Sequence, residues 1–121
     1  MSSAVVRLVV AAVAALSFAA VPIYPGARID LDGMKADRAR SPQRTDTAYI
    51  TPDSYEKVTA FYRSQKGSQE SKAISIGNDA NQKMAMFSIG AYSIGINWPA
   101  DIYDGHGKVI ARRGTRFAIG K

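Results

Sequence analysis

The sequence predicts an α+β domain, with one main helix over about residues 52–66 packed on an antiparallel sheet of about four to five strands. Three observations lead there. Tyr55, Val58, Phe61 and Tyr62 recur at spacings of three and four, which draws one apolar stripe along a helix. After Gly67 the period changes to two, the mark of strands with one buried face. Gly90-Ala91 sits between two such runs as a two-residue hairpin with glycine first.

The chain has 121 residues. Its first twenty carry a single charge, Arg7, followed by the apolar run Leu8 to Ala15 and the small residues Ser17 and Ala19. A basic start, an apolar centre and a small-x-small end describe a signal peptide, residues 1–19, cut before Ala20. The apolar stretch from Leu8 to Ile23 is about 16 residues. A spanning helix needs roughly 20, and Pro22 would end one early. The expected product is exported, periplasmic or secreted, with no stable membrane span after cleavage. About 100 residues remain, enough for one domain and too few for two.

Residues 20–46 read as an irregular segment. Pro22, Pro25, Gly26, Gly33 and Pro42 punctuate it, and aspartates alternate with arginines and lysines as on a solvated loop. Asp30-x-Asp32-Gly33 lacks the later ligands of a calcium loop. The single α+β domain is then expected over 47–121. Thr47 to Ile50 form a short strand. Thr51 would cap the helix, Pro52 suits its first position, and Asp53 and Glu56 meet the positive end of its dipole. Lys66 and Gly67 would close it, glycine in a left-handed cap.

Ala73 to Ile76, Met84 to Ile89, Tyr92 to Trp98 and Thr115 to Ile119 are the strands of the sheet. Gly77-Asn78-Asp79 turns the chain before Lys83. Across Gly90-Ala91, Ile89 should oppose Tyr92, and this agrees with the hydrophobic pattern. The opposite face carries Ala73, Ser75, Ala91, Ser93 and Gly95, with Met84 and Met86 beside them. It is flat and weakly polar. Two readings stay open: it receives a subunit, partner or ligand, or the N-terminal segment packs across it.

The residues Tyr24-Pro25-Gly26-Ala27, Tyr49-x-Thr51-x-Asp53-Ser54, Lys57-Val58 and Phe61-Tyr62 resemble a loose group of small exported bacterial α+β domains of unknown function. The resemblance spans roughly residues 22–63. It implies export and the α+β class, and carries over no functional residue.

Composition excludes several chemistries. There is no cysteine and one histidine, so disulfides, zinc-thiolate sites and thiol catalysis are out. His106, between Gly105 and Gly107 with Asp104 two residues earlier, sits in a turn too flexible for a catalytic base. No catalytic residue, metal or cofactor is assigned, and the chain is read as non-enzymatic. The net charge is +6, or +5 once Arg7 leaves. Lys108, Arg112, Arg113, Arg116 and Lys121 crowd the C-terminus. Lys108, Arg112, Arg113 and Arg116 are the candidate binding residues. Nucleic acid is the usual partner of such a cluster, but an exported protein meets little of it. An anionic envelope component or an acidic protein partner fits better. A solvated edge strand, where charge discourages aggregation, is the competing account. A small exported hydrolase, or a subunit of a larger envelope assembly, remains the alternative function.

Overall fold

The computed structural model describes residues 21–71 and 80–121. The expected signal peptide, the strand at Ile74 and Ile76 and the turn Gly77-Asn78-Asp79 lie outside the described residues. The elements in chain order are β1 (Arg28–Ile29), α1 (Leu31–Arg40), β2 (Thr47–Thr51), α2 (Tyr55–Arg63), β3 (Ser68–Glu70), β4 (Lys83–Ile89), β5 (Tyr92–Trp98), β6 (Asp101–Tyr103), β7 (Val109–Arg112) and β8 (Thr115–Gly120). Six strands form one sheet in the order β1-β2-β8-β5-β4-β3, every neighbouring pair antiparallel. β6 and β7 form a separate hairpin. The α+β class therefore holds; among the described residues the main sheet has six strands, more than the four to five expected, and there is a second helix.

The helix stripe and the sheet pattern meet in one core. Val58 and Tyr62 of α2 are fully buried against Phe87, Ile94, Ile96 and Phe117. Tyr55 and Phe61 pack at its margin. The hairpin register is as the turn dictates: Ile89 pairs with Tyr92, Phe87 with Ile94 and Ala85 with Ile96. Gly90 carries φ +59°, the left-handed conformation that the first position of such a turn requires.

α2 begins later than the sequence suggests. Thr51 is the last residue of β2, paired with Thr115, so it cannot also cap a helix. Its hydroxyl instead accepts from the Asp53 N–H at 3.2 Å. The cap is Ser54, whose Oγ accepts from the Lys57 N–H at 3.2 Å. The helix also ends earlier than expected, at Arg63 with Ser64 as its C-cap, so Lys66 and Gly67 do not close it; Gly67 is left-handed in the turn that follows.

The irregular reading of residues 20–46 is corrected by β1 and α1. α1 has almost no apolar stripe, and Leu31 in its first turn is 72% exposed. A hydrophobic period therefore cannot reveal it. It is held by charge: Asp30 caps it through Oδ1, which accepts from the Gly33 N–H at 3.1 Å. The edge-strand account of the C-terminal basic segment is corrected for Arg116 alone, since Arg112 lies in β7 of the two-stranded hairpin. β8 lies inside the sheet, between β2 and β5.

The residues that carry the resemblance converge in space. Tyr24 to Ala27 form a turn closed by the Ala27 N–H on the Tyr24 carbonyl, with Gly26 at φ +82° and proline ahead of it, as in a type II turn. The Tyr24 hydroxyl donates to Asp53 Oδ2 at 2.6 Å. The Tyr24 N–H donates to Tyr62 Oη at 3.1 Å, and the Tyr62 hydroxyl donates to the Pro22 carbonyl at 3.0 Å. The Tyr24 ring meets Phe61 edge-on at 5.4 Å. This motif is a clasp tying the N-terminal turn to α2.

Candidate functional site

Function in a basic chain depends on which cations are already spent inside the fold. Arg116 is spent. It lies at the centre of the sheet, opposite Ile50 and Asn97 on its neighbours, on the face turned away from α2. Its Nε donates to Asp30 Oδ2 at 2.9 Å and its Nη2 to Asp37 Oδ2 at 2.5 Å. The arginine side chain is 12% exposed and the two aspartates 10% and 9%. Arg40 reaches the other Asp37 oxygen at 3.0 Å. Arg44 forks onto Asp46 at 3.1 and 2.6 Å, and these bonds hold the Asp46 carboxyl below the usual carboxylate range despite its partial burial. The expectation that Arg116 faces solvent as a binding residue is thereby corrected. It points away from the Phe117 core, but α1 covers that face and supplies two carboxylates.

The other candidates scatter. Lys108 is exposed in the turn between β6 and β7. Arg112 is paired through Nε with Asp101 Oδ1 at 2.9 Å. Arg113 follows β7 and lines a cleft of about 350 Å³. The second arginine of that cleft is Arg28, at the start of β1. Sequence reading passes over Arg28 because β1 is two residues long and its register against Ile50 leaves no periodic trace.

The cleft is built from fixed pieces. Ile50, Pro52 and Ile102 supply apolar wall, and no carboxylate lines it. Arg28 is held by the β1–β2 pairing. The Arg113 N–H donates to the Ala100 carbonyl at 3.0 Å, and the Ala100 N–H donates to the Gly114 carbonyl at 2.9 Å. Gly114 sits at φ +73°, and a Cβ there would lie 2.5 Å from the Thr51 carbonyl oxygen. Only glycine lets the turn after β7 press this closely against the end of β2. Among the described arginines, Arg38, Arg40, Arg44, Arg63, Arg112 and Arg116 all have polar partners. Arg28 and Arg113 have none, and both face the same cleft.

The Asp104–His106 arrangement is a turn lock. Asp104 Oδ1 accepts from the His106 N–H at 2.8 Å and the Lys108 N–H at 3.0 Å, which lowers the Asp104 pKa. The carboxylate grips the backbone, not the imidazole. Among the described residues no group of three acidic or histidine side chains is placed to hold a metal, and no helix is long and apolar enough to cross a membrane.

The flat sheet face is partly covered. α1 packs against β2 and β6, over Ala48 and Ile50, which are buried. Farther along, Ser88 and Ser93 are exposed, and Met84 is 51% exposed. Ala73 and Ser75, also expected on this face, lie outside the described residues. Comparison of the chain with protein-family models, curated proteins and solved structures gives no match, so its chemistry is argued from its own geometry.

Proposed function

We propose that this chain is an exported, non-enzymatic binding or accessory protein of the bacterial envelope, periplasmic or secreted, that engages an anionic envelope component or protein partner through the Arg28–Arg113 cleft. One observation carries the reading. The two described arginines without a polar partner line the same carboxylate-free cleft. Guanidinium groups left unpaired beside apolar walls favour an anionic occupant. The signal-like first nineteen residues and the absence of cysteine supply the export half of the proposal.

The test is flotation with anionic vesicles and pull-down from envelope extract, each over a range of salt. Wild-type protein should bind an anionic surface and release it as salt rises. The Arg28→Ala/Arg113→Ala double variant should lose binding, while Lys108→Ala/Arg112→Ala should retain most of it. Full binding by the cleft variant would refute the assignment. A subunit role in a larger assembly is favoured by one separate feature, the exposed Met84 on the open part of the sheet face. A solution mass above that of one chain would support it.

A further inference from the structure

We infer that the cleft takes a phosphate monoester joined to a compact apolar group. This rests on the reading that the cleft binds anions, and narrows it to one chemistry. The charge count comes first. Two arginines without a polar side-chain partner line the space and no acidic residue lines it, so the matching occupant carries two negative charges. A phosphate monoester does, because its second ionisation lies near pH ~6. A monocarboxylate would leave one guanidinium uncompensated. Geometry comes second. A guanidinium is a planar fork that meets two phosphate oxygens at once, and a phosphate monoester has three oxygens to share between two forks. The shape of the wall comes third. Ile50, Pro52 and Ile102 bound the remainder of a cleft of about 350 Å³, at the low end of the roughly 300–1,000 Å³ typical of small-molecule sites. A bare phosphate would leave that apolar wall wet.

The backbone of both arginines is set before the ligand arrives. Arg28 is in the β1–β2 ladder. Arg113 is held by its N–H bond to the Ala100 carbonyl, and the next residue, Gly114, by the bond from the Ala100 N–H and by its contact with Thr51. Only side-chain freedom is lost on binding, which lowers the entropic cost of association. The phosphate could arrive on a soluble molecule or on a lipid headgroup. The chemistry is the same, and the experiment separates the two sources.

Calorimetry on the full chain would compare phenyl phosphate, inorganic phosphate and benzoate at pH 7.5, and flotation would compare phosphatidylcholine vesicles carrying phosphatidic acid with vesicles carrying phosphatidylglycerol. Phenyl phosphate should bind roughly tenfold or more tightly than either benzoate or inorganic phosphate. Arg28→Gln and Arg113→Gln should each weaken it by about tenfold or more, the scale of a lost charge-assisted hydrogen bond. Lys108→Gln should leave it unchanged. Arg28 and Arg113 are exposed and have no polar partner, so thermal midpoints should stay at the wild-type value, which confirms that the variants fold. Phenyl phosphate binding without vesicle flotation assigns a soluble ligand. Phenyl phosphate binding together with cleft-dependent flotation on phosphatidic acid, and none on phosphatidylglycerol, assigns a lipid source. Either result supports the inference. Benzoate binding as tightly as phenyl phosphate overturns the dianion, and inorganic phosphate doing so overturns the apolar group, while both leave the anion-binding cleft standing. Vesicle binding that survives in the double glutamine variant, with no small anion bound by wild type, overturns the inference and the cleft assignment together.

Discussion

Arg116 shows how one side chain can take charge out of circulation. Its guanidinium joins Asp30, at the cap of α1, to Asp37 within it, so one central strand residue holds an otherwise polar helix against the sheet. Removing it leaves the buried Asp30 carboxylate without a cation and Asp37 with only Arg40 and Arg44 at its other oxygen, a loss of about 3–5 kcal/mol. Arg116→Ala should therefore lower stability in urea by that amount. Arg112→Ala, which breaks a well-exposed pair with Asp101, should change it by under about 0.5 kcal/mol. Equal losses would refute the distinction. A charge reversal covering Arg112, Arg113 and Arg116 would thus unfold α1 as well as alter binding, so binding tests belong to Arg28 and Arg113. Tyr62 carries a second residue-scale prediction, in pH. Burial pushes its phenol above the ordinary tyrosine value of 10.0, so the fold favours the protonated form. That stability is fully present below about pH 10, the unfolded value, and is lost as pH rises through the higher folded value. Wild type should lose stability on alkaline titration above pH ~10. Tyr62→Phe should start about 0.5–1.5 kcal/mol lower for its lost hydrogen bonding and decline less steeply. Tyr24, raised mainly by its hydrogen bond to Asp53, leaves a residual slope in the variant. Parallel curves would exclude Tyr62 as the source.

At the scale of elements, α2 is the piece on which sequence and packing agree most closely. Its stripe predicts that Tyr62→Ala, at a site with no exposure, costs roughly 3–5 kcal/mol. Phe61→Ala, at the margin of the core, should cost less than Tyr62→Ala but more than Lys57→Ala, which should change stability by under about 0.5 kcal/mol. Chemical denaturation of the three variants checks that order, and similar losses would mean the helix face is misassigned. α2 and the β4–β5 hairpin could be read from sequence because their information is local. An apolar spacing of three and four, or a glycine turn between alternating runs, lies within a dozen residues. α1 was invisible for the opposite reason. Its partner Arg116 is 86 residues from Asp30 and 79 from Asp37, and ion pairing leaves no period along the chain. Thr51 and Ser54 are both good caps by type, and only the pairing of Thr51 with Thr115 decides between them. The site divides in the same way. Arg113 stood out within a basic cluster, but Arg28 joins it only through a two-residue strand whose register the sequence does not encode.

At the scale of the whole molecule, the N-terminal segment determines where the folded domain starts. Val21 already packs against the core, and the Pro22 carbonyl accepts the Tyr62 hydroxyl. On the proposed export reading, cleavage between Ala19 and Ala20 leaves a single residue ahead of Val21, so the clasp sits immediately behind the new terminus. N-terminal sequencing of protein from the envelope fraction should read Ala20 first; intact Met1 in membranes would defeat the cleavage. The clasp also makes a thermodynamic claim. Shortening the mature chain to begin at Ala27 removes the Pro22 acceptor, the Tyr24 N–H and hydroxyl bonds, and the Tyr24 contacts with Phe61 and Phe117. Three hydrogen bonds at ~1 kcal/mol each and aromatic contacts at ~0.5–1.5 kcal/mol put the loss at about 3 kcal/mol or more. Comparing urea unfolding of chains that begin at Ala20 and at Ala27 measures it. A substantial loss would make residues 21–26 part of the domain's core architecture, with Tyr62 left as a buried phenol lacking its acceptor. Matching midpoints would mean the segment merely rests on α2, and the convergence of Tyr24, Asp53 and Tyr62 would carry no stabilising role.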